Sequence, residues 1–303
     1  MKPNVAIPSK AAVIYYICLP LIYAVSLLPF RLLYLLSDFG YLVIYKLVRY
    51  RRRAVRENLE NAFPEKSAAE INNIEIEFYR YFCDLILETI KTLTIKPKAL
   101  EKHVKFADTT VFENLYKQGQ SVIIVMGHLG NWELGGARFS LYPYHQLFVI
   151  YHRLSNEYLD RLVYYMRTRL GNKLYVMKDT YRGMILNRNE ITATAFIADQ
   201  TPLPKGAYWT TFLNQDTPIF VGTAKIAKKL NYPIIYVSIK RPKRGCYEIS
   251  SELLIETPHA FTENEISECH TRRLERDIRE NPHIWLWTHR RWKHKKWNEE
   301  LND

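Results

Sequence analysis

The chain has 303 residues, a formal net charge of +12, 48% hydrophobic and 24% charged residues. That excludes a disordered or fibrous chain and leaves room for a sizeable core, as one large domain or a domain with an appendage. The basic balance suits anionic lipid, an acidic protein or nucleic acid, but no zinc-finger spacing or RNA-binding signature occurs, so no nucleic acid is expected.

From Ala11 to Phe30 no residue is charged. That is close to the ~20 apolar residues that cross a bilayer as a helix, although Pro20 and Pro29 would kink or divide it. A membrane anchor over residues 1–50 is the expectation, spanning or lying in the bilayer face; two buried core helices are the alternative. Arg49, Arg51, Arg52, Arg53 and Arg56 follow, against Lys2 and Lys10 in front. The positive-inside bias then puts residues 51–303 on the cytoplasmic side.

A helical lead-in is predicted over 51–100. Arg53–Ala62 reads as one helix, stopped at Phe63-Pro64. Ser67–Thr94 reads as a second, with Ser67 and Glu70 spaced as a capping box. Over 101–303 the pattern alternates. Strands are predicted at Ser121–Met126, Gln146–Tyr151, Leu174–Met177, Thr192–Ala198, Ile234–Lys240 and Tyr247–Glu256. Helices are predicted at about Asn131–Leu141, Ser155–Leu170, Thr180–Asn187, Phe220–Leu230 and Thr262–Asn281. The fold class is therefore α/β, with a mixed, mostly parallel sheet flanked by helices behind an N-terminal hydrophobic membrane-anchor helix. Reactive groups in such folds gather at the carboxyl ends of strands. His128, Arg153 and Asp199 each sit just past one.

The densest chemistry lies in Gly127-His128-Leu129-Gly130-Asn131-Trp132-Glu133, directly after an apolar strand. On one continuous helix His128 and Glu133 would stand about 140° apart at ~100° per residue. A turn at Leu129-Gly130, with Asn131 capping the next helix, removes that objection. Glu133 would then hold one imidazole nitrogen and leave the other as a base. A strand–turn–helix corner with an incidental His is the competing reading. Cys18, Cys83, Cys246 and Cys269 are scattered, with no disulfide framework or zinc spacing.

This segment resembles the signature of the late acyltransferases of lipid A biosynthesis, within the lysophospholipid acyltransferase superfamily. Further matches follow in order. They are Arg53-x-x-x-x-Asn58-Leu59-x-x-x-Phe63-Pro64, His152-Arg153-Leu154-Ser155-Asn156 with Asp160-Arg161, Asp199-Gln200, Phe220-x-Gly222-x-x-x-x-Ile226-Ala227, and the tail from Pro282 to Lys293. Two features depart from the pattern: Thr201-Pro202 follows Asp199-Gln200, and His152 stands where Tyr is usual.

The resemblance implies transfer of a fatty acyl chain from an acyl thioester, usually on acyl carrier protein, to a hydroxyl of a lipid A precursor. His128 would be the general base and Glu133 its orienting acid, with no metal and no cofactor. Asn131 would stabilise the oxyanion, and Arg153 and Arg167 would contact phosphate or phosphopantetheine, unless they form ordinary ion pairs. Asp199 and Gln200 complete the candidate substrate site, Asp199 alternatively as a structural cap. The basic run Arg290–Lys296 would meet acyl carrier protein or anionic lipid. An amino-acid or glycerophospholipid acceptor, or a catalytically inactive membrane scaffold, are the competing functions.

Overall fold

In the computed structural model, which describes residues 10–296, a seven-stranded sheet forms the centre of the chain. Its strands are β1 (Val104–Phe106), β2 (Val122–Met126), β3 (Gln146–Tyr151), β4 (Lys173–Val176), β5 (Thr192–Ile197), β8 (Ile234–Lys243) and β9 (Cys246–Ile255). The order is β1-β9-β8-β2-β5-β3-β4. Every neighbouring pair is parallel except β8 and β9. The central strand β2 is apolar along its length, as burial on both faces of a parallel sheet requires. Strands β6 (Tyr208–Phe212) and β7 (Gln215–Ile219) form a separate antiparallel hairpin. Its two turn residues, Leu213 and Asn214, both have positive φ, the geometry that matches the twist of paired strands.

The helices that flank this sheet include α7 (Trp132–Phe139), α8 (Glu157–Thr168), α9 (Thr180–Leu186), α10 (Gly222–Leu230) and α11 (Glu263–Glu280). Apart from β1 and the hairpin, each strand agrees with its predicted range to within about a turn. Two short helices, Pro97–His103 and Thr110–Lys117, were not anticipated.

Ahead of the sheet come α1 (Lys10–Leu27), α2 (Phe30–Tyr41), α3 (Arg52–Ala62) and α4 (Ala68–Lys91), with one π-helical turn at Leu42–Leu47. α1 runs on through Pro20 instead of dividing there. The capping box at Ser67 is formed as expected. α4 carries four buried polar residues on one helix, and each has partners. Glu75 takes Arg52 at 3.0 Å and Arg56 at 2.6 Å. Asp84 takes Ser37, Arg241 and Arg244. Glu88 accepts from Tyr34, Asn131 and Tyr247. Lys91 donates to the backbone oxygens of Ser26 and Leu28. Such groups are costly to bury without partners, so this row fixes how the N-terminal helices seat on the core.

Among the described residues no helix is long and apolar enough to cross a membrane. α2 nevertheless has two apolar faces. Leu33, Ser37 and Tyr41 point inward at helical spacing, while Leu32, Leu35 and Phe39 are exposed. Ile17, Leu21, Leu42 and Leu47 extend that exposed apolar surface to either side.

Candidate active site

The parallel register of β2 and β5 pairs Met126 with Ile197. The residues two beyond each, His128 and Asp199, therefore leave the sheet side by side. The imidazole Nδ1 of His128 lies 2.6 Å from Asp199 Oδ1, and the His128 backbone N–H donates to Asp199 Oδ2 at 2.8 Å. Trp285 adds its indole N–H to Oδ2 at 2.8 Å. Gly127 permits this closeness: a Cβ there would stand 2.6 Å from Leu274 Cδ1 and 3.1 Å from Asp199 Oδ2.

The turn after His128 is built as its sequence requires. Gly130 has φ +63°, and a Cβ there would stand 2.5 Å from the Ile239 carbonyl oxygen. Only glycine meets both demands without strain. The C-terminal tail clamps the same turn through Gly130 N–H to Ile284 O at 3.0 Å and Leu286 N–H to His128 O at 3.1 Å.

Electrostatics assign the imidazole tautomer. Burial alone would raise the Asp199 pKa. The electrostatic pull of the His128 ring and its hydrogen bonds, with the Trp285 indole, outweigh burial and hold it at about 2, below the usual 3.8. Asp199 is thus ionised near neutral pH and can only accept hydrogen bonds. His128 Nδ1 must then carry the proton, which leaves the Nε2 lone pair free as a base.

His128 lines the wall of a cavity of about 590 Å³ that runs in between the sheet and α7. Ile124, Leu147, Val149, Ala195 and Val237 make its floor, and Gly135 and Gly136 of α7 lie along it. Volume and apolar lining are in the range of sites that take small apolar ligands.

The remaining predicted residues divide. The expected Glu133–His128 contact is not formed; Asp199 occupies that place, because Glu133 sits in the first turn of α7 and turns toward α8. There Arg167 clamps it, with Nε at 3.2 and 3.1 Å from the two carboxylate oxygens and Nη2 at 2.5 Å from Oε1. Burial lowers the Arg167 pKa, but the Glu133 carboxylate outweighs it and the net direction is upward. Both residues line the cavity, as does Gln200. Asn131 is fully buried and outside the cavity wall. It caps α7 by accepting from Leu134 N–H at 2.9 Å, and its amide donates to Glu88 at 2.7 Å. Arg153 is exposed and lies outside the wall that its neighbours His152 and Leu154 join. In the basic tail, Arg290, Lys293, Lys295 and Lys296 are exposed but Arg291 is buried. Sequence reasoning missed the clamping Trp285 and the burial of Arg291. The apolar block Ile284-Trp285-Leu286-Trp287, with Trp292 just beyond Arg291, was the available signal that this tail packs inward.

A family model described as "Bacterial lipid A biosynthesis acyltransferase" matches residues 1–294. The chain belongs to that family. It is an O-acyltransferase of the lipid A type. Two relatives are similar to this acyltransferase, the lipid A biosynthesis palmitoleoyltransferase of Escherichia coli (strain K12) and the lipid A biosynthesis acyltransferase of Shigella flexneri. Each is 23% identical over 251 residues, covering 81% of this chain and 80% of the relative. The acyltransferase therefore shares the family's extent along nearly the whole chain, the α1–α2 region and the tail included.

Proposed function

We propose that this acyltransferase moves a fatty acyl chain from an acyl thioester, carried by acyl carrier protein, to a hydroxyl of a lipid A precursor, with His128 as general base. The observation that carries this reading is the His128–Asp199 pair at the wall of an apolar cavity. His128 Nε2 takes the proton of the acceptor hydroxyl as its oxygen attacks the thioester carbonyl. The carbon–sulfur bond then breaks, and His128 returns the proton to the departing thiolate. Asp199 holds the ring and stabilises the transient imidazolium, as the acid of a serine-protease triad does. The acyl chain lies in the cavity, where burial of each CH₂ contributes about 0.8 kcal/mol.

Glu133 aims Arg167 across the cavity, where its guanidinium meets the anionic part of a substrate, a phosphopantetheine or an acceptor phosphate. Asn131 acts through the fold, by capping α7. The exposed apolar face of α1, α2 and the turn after it lies in the membrane interface on the cytoplasmic side, since an apolar helix face without protein cover needs an apolar partner. Exposed Arg290, Lys293, Lys295 and Lys296 attract the acidic carrier protein.

The test is the initial rate of transfer from acyl-acyl carrier protein by His128→Ala. Loss of general-base catalysis predicts a fall of ~10²–10⁴-fold with membrane association unchanged. A variant that keeps more than about a tenth of the rate contradicts His128 as base.

A further inference from the structure

Beside the catalytic pair, sharing Met126 and Ala198 with the wall of the acyl cavity, lies a second and much smaller space of about 10 Å³. Asp199, Arg291, His270, Tyr236 and Thr271 are among its walls. Its size is close to that of a single water probe sphere, and a water is retained in such a space when polar groups surround it.

Two of these polar residues, Arg291 and His270, have atoms without partners. Arg291 is only 1% exposed. Its Nη2 donates to the Pro218 carbonyl at 2.7 Å. Its Nε and Nη1 have no hydrogen-bond partner, and neither does Nε2 of buried His270. Unpaired buried donors of a guanidinium are expensive. Among the described residues Arg291 makes no direct salt bridge.

We propose that Arg291 is a positioning residue of the acyl-transfer site, which acts on the Asp199–His128 pair through an ordered water held between its guanidinium, His270 and the Asp199 carboxylate. The inference rests on His128 being the base. The water accepts from Arg291, giving the guanidinium a partner that it otherwise lacks, and donates a further hydrogen bond to Asp199. The arginine charge and the Asp199 carboxylate attract one another, and the water carries that pull to the pair.

Other charges near the pair do not supply this. His289 of the tail and His270 of α11 are both held by burial at about 4, and are neutral near pH 7. Tyr236 of β8 donates its hydroxyl to Asp277 at 2.9 Å. Arg273 of α11 is bound to Asp277 and Glu252. Lys293 is exposed to solvent. Burial lowers Arg291 itself, against the pull of Asp199, to about 10, so it stays cationic over the working range. The pairing also explains why one arginine of a basic run is buried.

The experiment is kcat/KM against pH with acyl-acyl carrier protein for full-length wild type, Arg291→Gln, Arg291→Lys and His128→Ala. Removing the buried cation makes protonation of the base easier, so the acidic limb of Arg291→Gln moves to higher pH by about half a unit or more. Arg291→Lys keeps the charge and the position of the limb, even where its rate is lower. A purely structural arginine would lower the rate without moving the limb. An unmoved limb in Arg291→Gln beside an inactive His128→Ala overturns the role of Arg291 alone; an active His128→Ala overturns the base and this role together. A high-resolution crystal structure of the unaltered protein gives a readout independent of variant folding. It should show a water within hydrogen-bond distance of both Arg291 and Asp199, and a dry space there overturns the proposal.

Discussion

His128 was legible because a short apolar strand ends in Gly127-His128, and strand ends of α/β sheets collect reactive groups. Its partner was not. Glu133 is five residues away in sequence, Asp199 seventy-one, yet the parallel register of β2 and β5 makes Asp199 the spatial neighbour. Spacing along the chain carries no information about which strands pair. Glu133 and Arg167 instead form a bidentate pair whose two members depend on each other for position. Glu133→Ala and Arg167→Ala should therefore lower kcat/KM by similar factors, and the double variant should be little worse than either. Steady-state kinetics of the three variants checks this; fully additive losses would show that the two residues act separately.

At the scale of elements, the strongly patterned pieces were readable and the weakly patterned ones were not. α4 was announced by its capping box and its apolar spacing, and β2 to β5 by apolar runs. β1 has three residues, too few for any period. β7 contains Pro218, which argues against a strand unless that strand lies at an edge. In the two-stranded hairpin both strands are edges, so the proline is tolerated. The turn from β2 to α7 depends on Gly130, whose positive φ and closeness to Ile239 leave no space for a side chain. Gly130→Ala should lose about 1–3 kcal/mol of stability. It should also lower the transfer rate at least about tenfold, since small displacements of catalytic groups are costly. Denaturant melts and initial rates test both; a variant unchanged in both would show that the turn relaxes freely.

For the molecule as a whole, charge and hydropathy suggested a separate N-terminal anchor. Instead, the buried row on α4 ties α1 and α2 to the core, and one apolar face of α2 remains uncovered. That arrangement depends on Glu75, Asp84, Glu88 and Lys91, charged residues that a helical-wheel reading assigns to solvent. The same burial sets a pH response. Burial pulls His270 from 6.5 down to about 4, and lowers His289, His145 and His283 in the same direction. The unfolded chain then binds protons that the folded chain resists. The stabilisation is complete above pH 6.5 and is lost as pH falls from there toward 4. For His270 alone this is on the order of 3 kcal/mol. Urea midpoints measured from pH 7 to pH 4.5 should fall steadily, and less so in His270→Gln. A midpoint that holds constant over that range would contradict burial of these histidines in the neutral form.

The central claim is that His128 and Asp199 act as one catalytic unit at the wall of the acyl cavity. The most direct measurement is kcat for acyl transfer in a cycle of wild type, His128→Ala, Asp199→Asn and the double variant. Residues that act as a unit are grossly non-additive. The predicted result is that Asp199→Asn loses about 10²-fold or more, and that the double variant is no slower than His128→Ala. A double variant slower by the full product of the two single losses would contradict the pair, and so would an Asp199→Asn enzyme as fast as wild type.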